Sequence, residues 1–199
     1  DSEFSKKEII KYLRVNAQKI TVVPCAVNHE EFHTDYSTEQ IQEAIKKYHI
    51  NEKYFLYLGT IEPRKNLERL IKAYVKLVSR HKDVPQLVLA GGNGWYYDDI
   101  FQMIDTCHLK EQVVFTGYVD QKDSPLLMSG AMAFVFPSLY EGFGMPPLEA
   151  MACGTPVITS KTSSLPEVVG DAGILVDPEN VDEICEAMEK MMNEPVYRE

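Results

Sequence analysis

Two glutamates, Glu141 and Glu149, stand with seven residues between them in the run Glu-Gly-Phe-Gly-Met-Pro-Pro-Leu-Glu. Gly142 and Gly144 allow the backbone to adopt positive φ or to approach a ligand closely. Pro146 and Pro147 suit the opening of a helix, where a missing N–H costs nothing. A helix start entered through a glycine loop is a natural anion site. Carboxylates repel phosphate, so phosphate contact would fall to backbone N–H groups around Gly144, Met145, Pro146 and the residues just after them. The two acids are better suited to accept hydrogen bonds from hydroxyls, as on a ribose or a sugar. A phosphate flanked by hydroxyl-bearing groups describes a nucleotide-sugar. The same residues also fit a plainer reading, with Glu149 an acid favoured by the helix dipole and Glu141 a solvated loop residue.

A second candidate cluster is the basic pair Arg64 and Lys65, in Gly59-Thr60-Ile61-Glu62-Pro63-Arg64-Lys65-Asn66. It lies between an expected strand (54–58) and a helix, and suggests an anion site at the carboxyl end of a parallel strand; a solvated pair is the alternative. Gly91-Gly92-Asn93-Gly94 follows another expected strand but lacks the G-x-G-x-x-G form. His29-Glu30-Glu31-Phe32-His33 spells the zinc-protease pattern H-E-x-x-H. That pattern needs both histidines on one helix face, and no helical period surrounds it, so a surface loop is expected.

The elements that must position these residues alternate along the chain. Ser5 and Glu8 form a capping-box pattern with Phe4 and Ile9 as a hydrophobic staple, opening a helix over 6–14. A short β-branched strand is expected over 20–23. Ser37 and Gln40 cap a helix over 38–48. Apolar residues at helical spacing from Leu67 to Val78 define an amphipathic helix to about residue 80. Strands follow at 86–90, 112–115, 131–136, 156–159 and 173–176, with helices at 100–108, 124–129, 148–153 and 181–192. Asn180 and Glu183 cap the last of these. Strands alternating with helices over short turns imply an α/β class, a Rossmann-like, doubly wound parallel sheet with ligand loops at the strand carboxyl ends.

Composition narrows the function classes. The chain has 199 residues, 45% hydrophobic, with 20 basic against 30 acidic side chains and a net charge of −10. That balance argues against nucleic acid as a partner. No apolar run approaches the ~18 residues of a membrane span. The four cysteines, 25, 107, 153 and 185, have neither zinc nor redox spacing, which suits reduced, buried thiols in a cytoplasmic protein.

The run from Glu141 to Glu149 resembles the E-x7-E signature of the retaining glycosyltransferases of family 4, which have the GT-B fold. The likeness continues through Ala150-Met151-Ala152-Cys153-Gly154-Thr155-Pro156-Val157-Ile158 and resumes at Leu165-Pro166-Glu167-Val168-Val169-Gly170-Asp171-Ala172-Gly173. The resemblance implies the C-terminal, donor-binding half of such an enzyme (29–199), preceded by a remnant of the N-terminal acceptor domain and its linker (1–28). It implies transfer of a mannose- or glucose-type hexose from a GDP- or UDP-linked donor to a hydroxyl acceptor, a saccharide or lipid-linked sugar, in polysaccharide or glycoconjugate synthesis. Another nucleotide-sugar reaction on the same fold (epimerisation or hydrolysis) and a silent nucleotide-binding module are the alternatives.

The resemblance also assigns roles. Glu149 would hold the ribose hydroxyls and Glu141 those of the transferred sugar, with Lys65, assisted by Arg64, on the diphosphate. Many members carry that arginine directly after the strand glycine, where this chain has Thr60. The backbone at Gly117 and Tyr118 would lie against the base. Gly59, Thr60, Gly92, Phe143, Gly144, Met145 and Pro146 would complete the donor site. No metal or other cofactor is expected, in keeping with the lack of a D-x-D motif. The isolated half is expected to bind donor but transfer nothing. The full-length protein is expected to be cytoplasmic, with peripheral association at the inner membrane surface left open.

Overall fold

The computed structural model describes residues 1–92 and 98–194. Six parallel strands form one sheet: β1 (Tyr54–Leu58), β2 (Gln86–Ala90), β3 (Val113–Gly117), β4 (Ala133–Phe136), β5 (Val157–Ser160) and β6 (Ile174–Val176). Their order is β3-β2-β1-β4-β5-β6. The chain runs outward from β1 to one edge, then returns to start again at β4. Neighbouring β1 and β4 are therefore the point where the winding reverses, and the loops leaving their carboxyl ends diverge to leave a crevice.

The central strands show why this sheet is covered on both faces. Tyr54, Phe55, Leu56 and Tyr57 of β1 and every residue of β4 are fully buried, a continuous apolar run rather than an alternating one. Buried tyrosines place their hydroxyls on backbone carbonyls: Tyr54 donates to Leu127 at 2.7 Å and Tyr74 to Pro85 at 2.8 Å. Helices α2 (Thr38–Lys47), α3 (Leu67–Arg80), α4 (Asp98–Thr106), α5 (Ser124–Gly130), α6 (Met145–Ala152), α7 (Leu165–Val169) and α8 (Val181–Asn193) surround the sheet. Within these layers α3 packs on α8, and α2 on α5. Both expected caps at α2 and α8 form: Ser37 and Gln40 close a capping box, and Asn180 Oδ1 accepts from the N–H groups of Asp182 and Glu183.

Three local expectations are corrected. The first helix, α1, is Glu3–Leu13, capped by Ser2 rather than Ser5. The Glu167 carboxylate of α7 takes the N–H groups of Glu3 and Phe4 at 2.8 and 2.7 Å, so a distant partner lets the helix begin earlier than its local signal. Ser5, now inside the helix, donates to the Gly142 carbonyl, and Phe4 packs edge-on against Tyr140. Secondly, residues 20–23 form no strand; β-branched composition alone recruits no sheet neighbour, and Val23 is 72% exposed. Thirdly, α6 begins at Met145, not at residue 148, because both prolines fit its first turn.

The His29–His33 motif lies in a turn, so its histidines do not share a helix face. Cys153 and Cys185 are buried as expected, but Cys25 is exposed. Among the described residues no helix is long and apolar enough to cross a membrane.

The strand ends nearest the crevice are laced closely. Gly59 N–H donates to Ala90 O at 2.9 Å, Gly91 N–H to Gly117 O at 2.9 Å, and Ile61 N–H to Gly92 O at 3.1 Å. At Gly91, φ is +143°, and a Cβ would lie 2.0 Å from the Gly59 carbonyl oxygen. At Gly92 a Cβ would meet nothing within 4 Å among the described residues. Gly91→Ala should therefore cost about 3 kcal/mol through backbone overlap and strain, while Gly92→Ala should stay within about 0.5 kcal/mol of the parent. Chemical denaturation of the two variants checks this; equal stabilities would refute the close packing.

Candidate functional site

The residues singled out above gather at the carboxyl edge of the sheet, in two adjoining groups. The first lines an open cleft of about 520 Å³ that takes in Gly59 and Thr60 after β1, Gly92 after β2, Tyr118 after β3, and Met145 and Glu149 of α6. Asn28, Glu31, Phe32 and Gln121 complete the same wall. Gly117 precedes Tyr118 and its carbonyl is taken by Gly91. The rest of the Gly91–Gly94 turn, Asn93 and Gly94, lies outside the described residues. Another cavity, of about 510 Å³ at the start of α3, contains none of the candidate residues.

The second group is a charge cluster at the β1/β4 junction. Arg64 and Lys65 sit in a single 3-10 turn, Pro63–Lys65, and Glu141 sits in the loop between β4 and α6. Lys65 Nζ donates to Glu141 Oε1 at 2.7 Å, and Arg64 Nη1 to Glu141 Oε2 at 2.7 Å. Ser138 Oγ donates to Oε1 at 2.6 Å. Lys65 is only 7% and Glu141 only 9% exposed, whereas Arg64 is half open to solvent and also pairs with Glu62 at 2.7 Å. The Lys65 ammonium lies 4.8 Å from the centre of the Phe136 ring, a cation–π contact that helps to accommodate a buried cation.

These contacts set the ionisation of the two acids in opposite directions. Burial alone would raise the Glu141 carboxyl, but hydrogen bonds from Lys65 and Ser138, the charge of Lys65 and the hydrogen bond from Arg64 hold it below the ordinary glutamate value. It stays ionised and can accept hydrogen bonds, not give a proton. Glu149 goes the other way: burial, then the negative charge of Glu31, pushes its carboxyl up.

The supply of helix-start N–H donors is smaller than expected. Pro146 and Pro147 have none, and Leu148 N–H already reaches the Gly144 carbonyl at 3.5 Å. Among the described residues only Gly144 and Met145 remain as donors in that turn, so most of the positive charge near an anion would come from Arg64 and Lys65. Gly144, with φ +121° and a Cβ position 2.7 Å from Leu165 Cδ2, serves the close approach of α6 to α7. Ser164 Oγ lies 2.9 Å from the Glu141 carbonyl and 2.6 Å from that of Phe143, bracing the loop.

Several contributors carry no sequence signal of their own. Ser138 completes the Glu141 cluster, Ser163 Oγ accepts from the Glu141 N–H at 3.1 Å, and Glu31 stands in the cleft with Glu149. Single serines and a turn glutamate are too common to stand out; only a strand-order argument placing 138 beside 64 could have pointed to the first.

The profile of the family described as Glycosyl transferases group 1 matches residues 39–199. The chain belongs to that family. It is 38% identical over 199 residues to the O-antigen chain mannosyltransferase B of Escherichia coli, covering all of this chain and 52% of that protein. Among solved structures it is similar to Anabaena Alr3699/HepE in complex with UDP and glucose, with a TM-score of 0.86 and 22% identity over 99% of this chain and 53% of that one. It also resembles the C-terminal domain of the group 1 protein LpcC from Francisella tularensis, with a TM-score of 0.75 and 25% identity over 87% of this chain and 91% of that domain. The chain thus spans about half the length of that mannosyltransferase and nearly all of that isolated domain.

Replacing Glu141 by Gln leaves two cations facing a neutral amide, one of them buried. Breaking such a pair should cost about 3 kcal/mol at pH 7. Because the folded pKa lies below the unfolded one, the carboxylate's contribution is fully present above about pH 4.5 and disappears as pH falls through the folded value. Denaturant titrations of parent and variant at pH 7 and pH 3 should show a gap that narrows in acid; a gap independent of pH would refute the ion-pair account.

Proposed function

We propose that this chain is the donor-binding half of a retaining glycosyltransferase that moves a hexose from a nucleoside diphosphate sugar to a hydroxyl acceptor in polysaccharide or glycoconjugate synthesis. The observation that carries the reading is the meeting of Arg64, Lys65 and Glu141 at the strand-order reversal, next to a cleft containing Glu149. Cations and hydroxyl acceptors side by side match a diphosphate with a sugar on each flank. The relative named as a mannosyltransferase and the neighbour holding UDP and glucose support this reading. The likeness to an isolated C-terminal domain supports its assignment to that half, with 1–28 leading from an N-terminal acceptor domain.

In this reading Lys65 and Arg64 take the donor diphosphate and stabilise the charge that develops on it as it leaves. They supply the positive charge from the chain itself, and no divalent cation is assigned a part. Glu149 accepts from the ribose hydroxyls. Glu141, released from its cations as the diphosphate engages them, turns its oxygens to the hydroxyls of the transferred sugar. The acceptor saccharide or lipid-linked sugar is met by the other half, so this half binds donor without transfer. The parent works in the cytoplasm, with any membrane contact made peripherally by that other half.

Calorimetric titration of the chain with GDP, UDP and ADP, with and without EDTA, tests the reading. One nucleotide should bind saturably, EDTA should not matter, and Glu149→Ala should weaken binding roughly 10- to 100-fold by removing charged hydrogen bonds to the ribose. A folded chain that binds none of the three, or binds only when a divalent cation is present, would overturn the corresponding part of the proposal.

A further inference from the structure

Glu31 and Gln121 form a hydrogen-bonded pair in the cleft wall: the Gln121 amide donates from Nε2 to Glu31 Oε2 at 3.1 Å. Both residues line the donor cleft and also an adjoining cavity of about 410 Å³ that includes Tyr36 and Lys122, so the pair stands between the two spaces. Each member is carried on a braced backbone, while the hydrogen bond between the two side chains is exposed. The Tyr36 hydroxyl donates to the Glu31 carbonyl at 2.5 Å, and the Glu31 N–H to Asn28 O at 3.1 Å. Gln121 is carried on a loop braced on both sides, where Lys47 Nζ binds Asp120 at 2.6 Å and Asp123 at 2.5 Å. The Tyr48 hydroxyl, which accepts from the Asp120 N–H at 3.2 Å, donates to Asp123 at 2.8 Å. The exposed ring of Tyr118 lines the same cleft and offers a face for stacking.

A primary amide bonded to a carboxylate displays along one edge the amide's second N–H, then two acceptor oxygens. The Watson–Crick edge of guanine displays the complement: the O6 acceptor, then N1–H and N2–H donors. Uracil has one donor between two carbonyls, and adenine sets an unprotonated N1 beside its amine. Either would bring a lone pair against the carboxylate, a polar mismatch that costs affinity. We propose that Glu31 and Gln121 read the donor's base and select a guanine nucleotide. Glu149 and Glu31 then serve the ribose and the base within one cleft. This inference rests on the donor-binding reading given above and adds the base to it.

The test is titration of the chain with GDP, IDP, UDP and ADP; IDP differs from GDP only in lacking the exocyclic amine. GDP should bind roughly 10- to 100-fold more tightly than IDP, the share of a hydrogen bond to a charged acceptor, and more tightly than UDP or ADP. Glu31→Gln should bring GDP and IDP to within about threefold of one another. Gln121→Leu should weaken both alike, because both retain O6, and should preserve the gap between them. Thermal melting of the variants confirms folding, and the GDP/IDP comparison in the unaltered chain stands even if a variant fails to fold. Equal affinities for GDP and IDP, or a preference for UDP, would overturn this inference and leave the donor reading standing. Absence of all nucleotide binding by the folded chain would overturn both.

Discussion

The Glu141 carboxylate accepts hydrogen bonds from Lys65, Arg64 and Ser138, and those donors arrive on two loops that are far apart in sequence. A carboxylate as enclosed as this one is stable only when its charge and lone pairs are answered. Answering them draws the loop after β1 against the loop after β4. Further bonds then follow the same seam. Leu139 N–H donates to the Arg64 carbonyl, Ser138 Oγ lies 3.0 Å from the same oxygen, and Ser160 Oγ donates to Ser138 O. Even α1 is tied to it, through Ser2 and Ser5 on the Gly142 carbonyl and through Glu167 on the N-terminus of α1.

In the proposed reading the site has to reconcile positive charge for a diphosphate with acceptors for hydroxyls. The fold does so by separating them. The cations are neutralised within a compact cluster around Glu141. Glu149 lies in the neighbouring cleft, where burial and Glu31 raise its carboxyl rather than lowering it. Two glutamates that look equivalent in the E-x7-E run are therefore different chemical groups: one is a counter-ion to Lys65 and Arg64, the other lines the cleft and has no ion-pair partner among the described residues.

Much of the fold was legible because its signals are local. The apolar runs of β1 and β4, the periodic face of α3 and the Asn180 cap each act over a few residues, and each forms where its pattern lies. The failures share a cause as well. Ser5 had the pattern of a cap, but Glu167 from α7 stabilised an earlier start; the β-branched run at 20–23 had propensity but no neighbouring strand. The two missing N–H groups at the start of α6 were visible in Pro146 and Pro147, and were outweighed in the reading by the helix-start pattern.

The sequence by itself determined the class of sheet, the two glutamates, the basic pair and the glycine turns, since residue type and short spacing suffice for these. Only the tertiary structure decided which groups meet. Strand order, which no local pattern encodes, set β1 beside β4 and so Lys65 beside Glu141. It also brought Ser138 to the cluster and set Glu31 and Gln121 together in one wall, 90 residues apart in the chain. Hydrogen bonds of 2.6 to 3.1 Å between such residues exist only once the core has fixed the backbones that carry them.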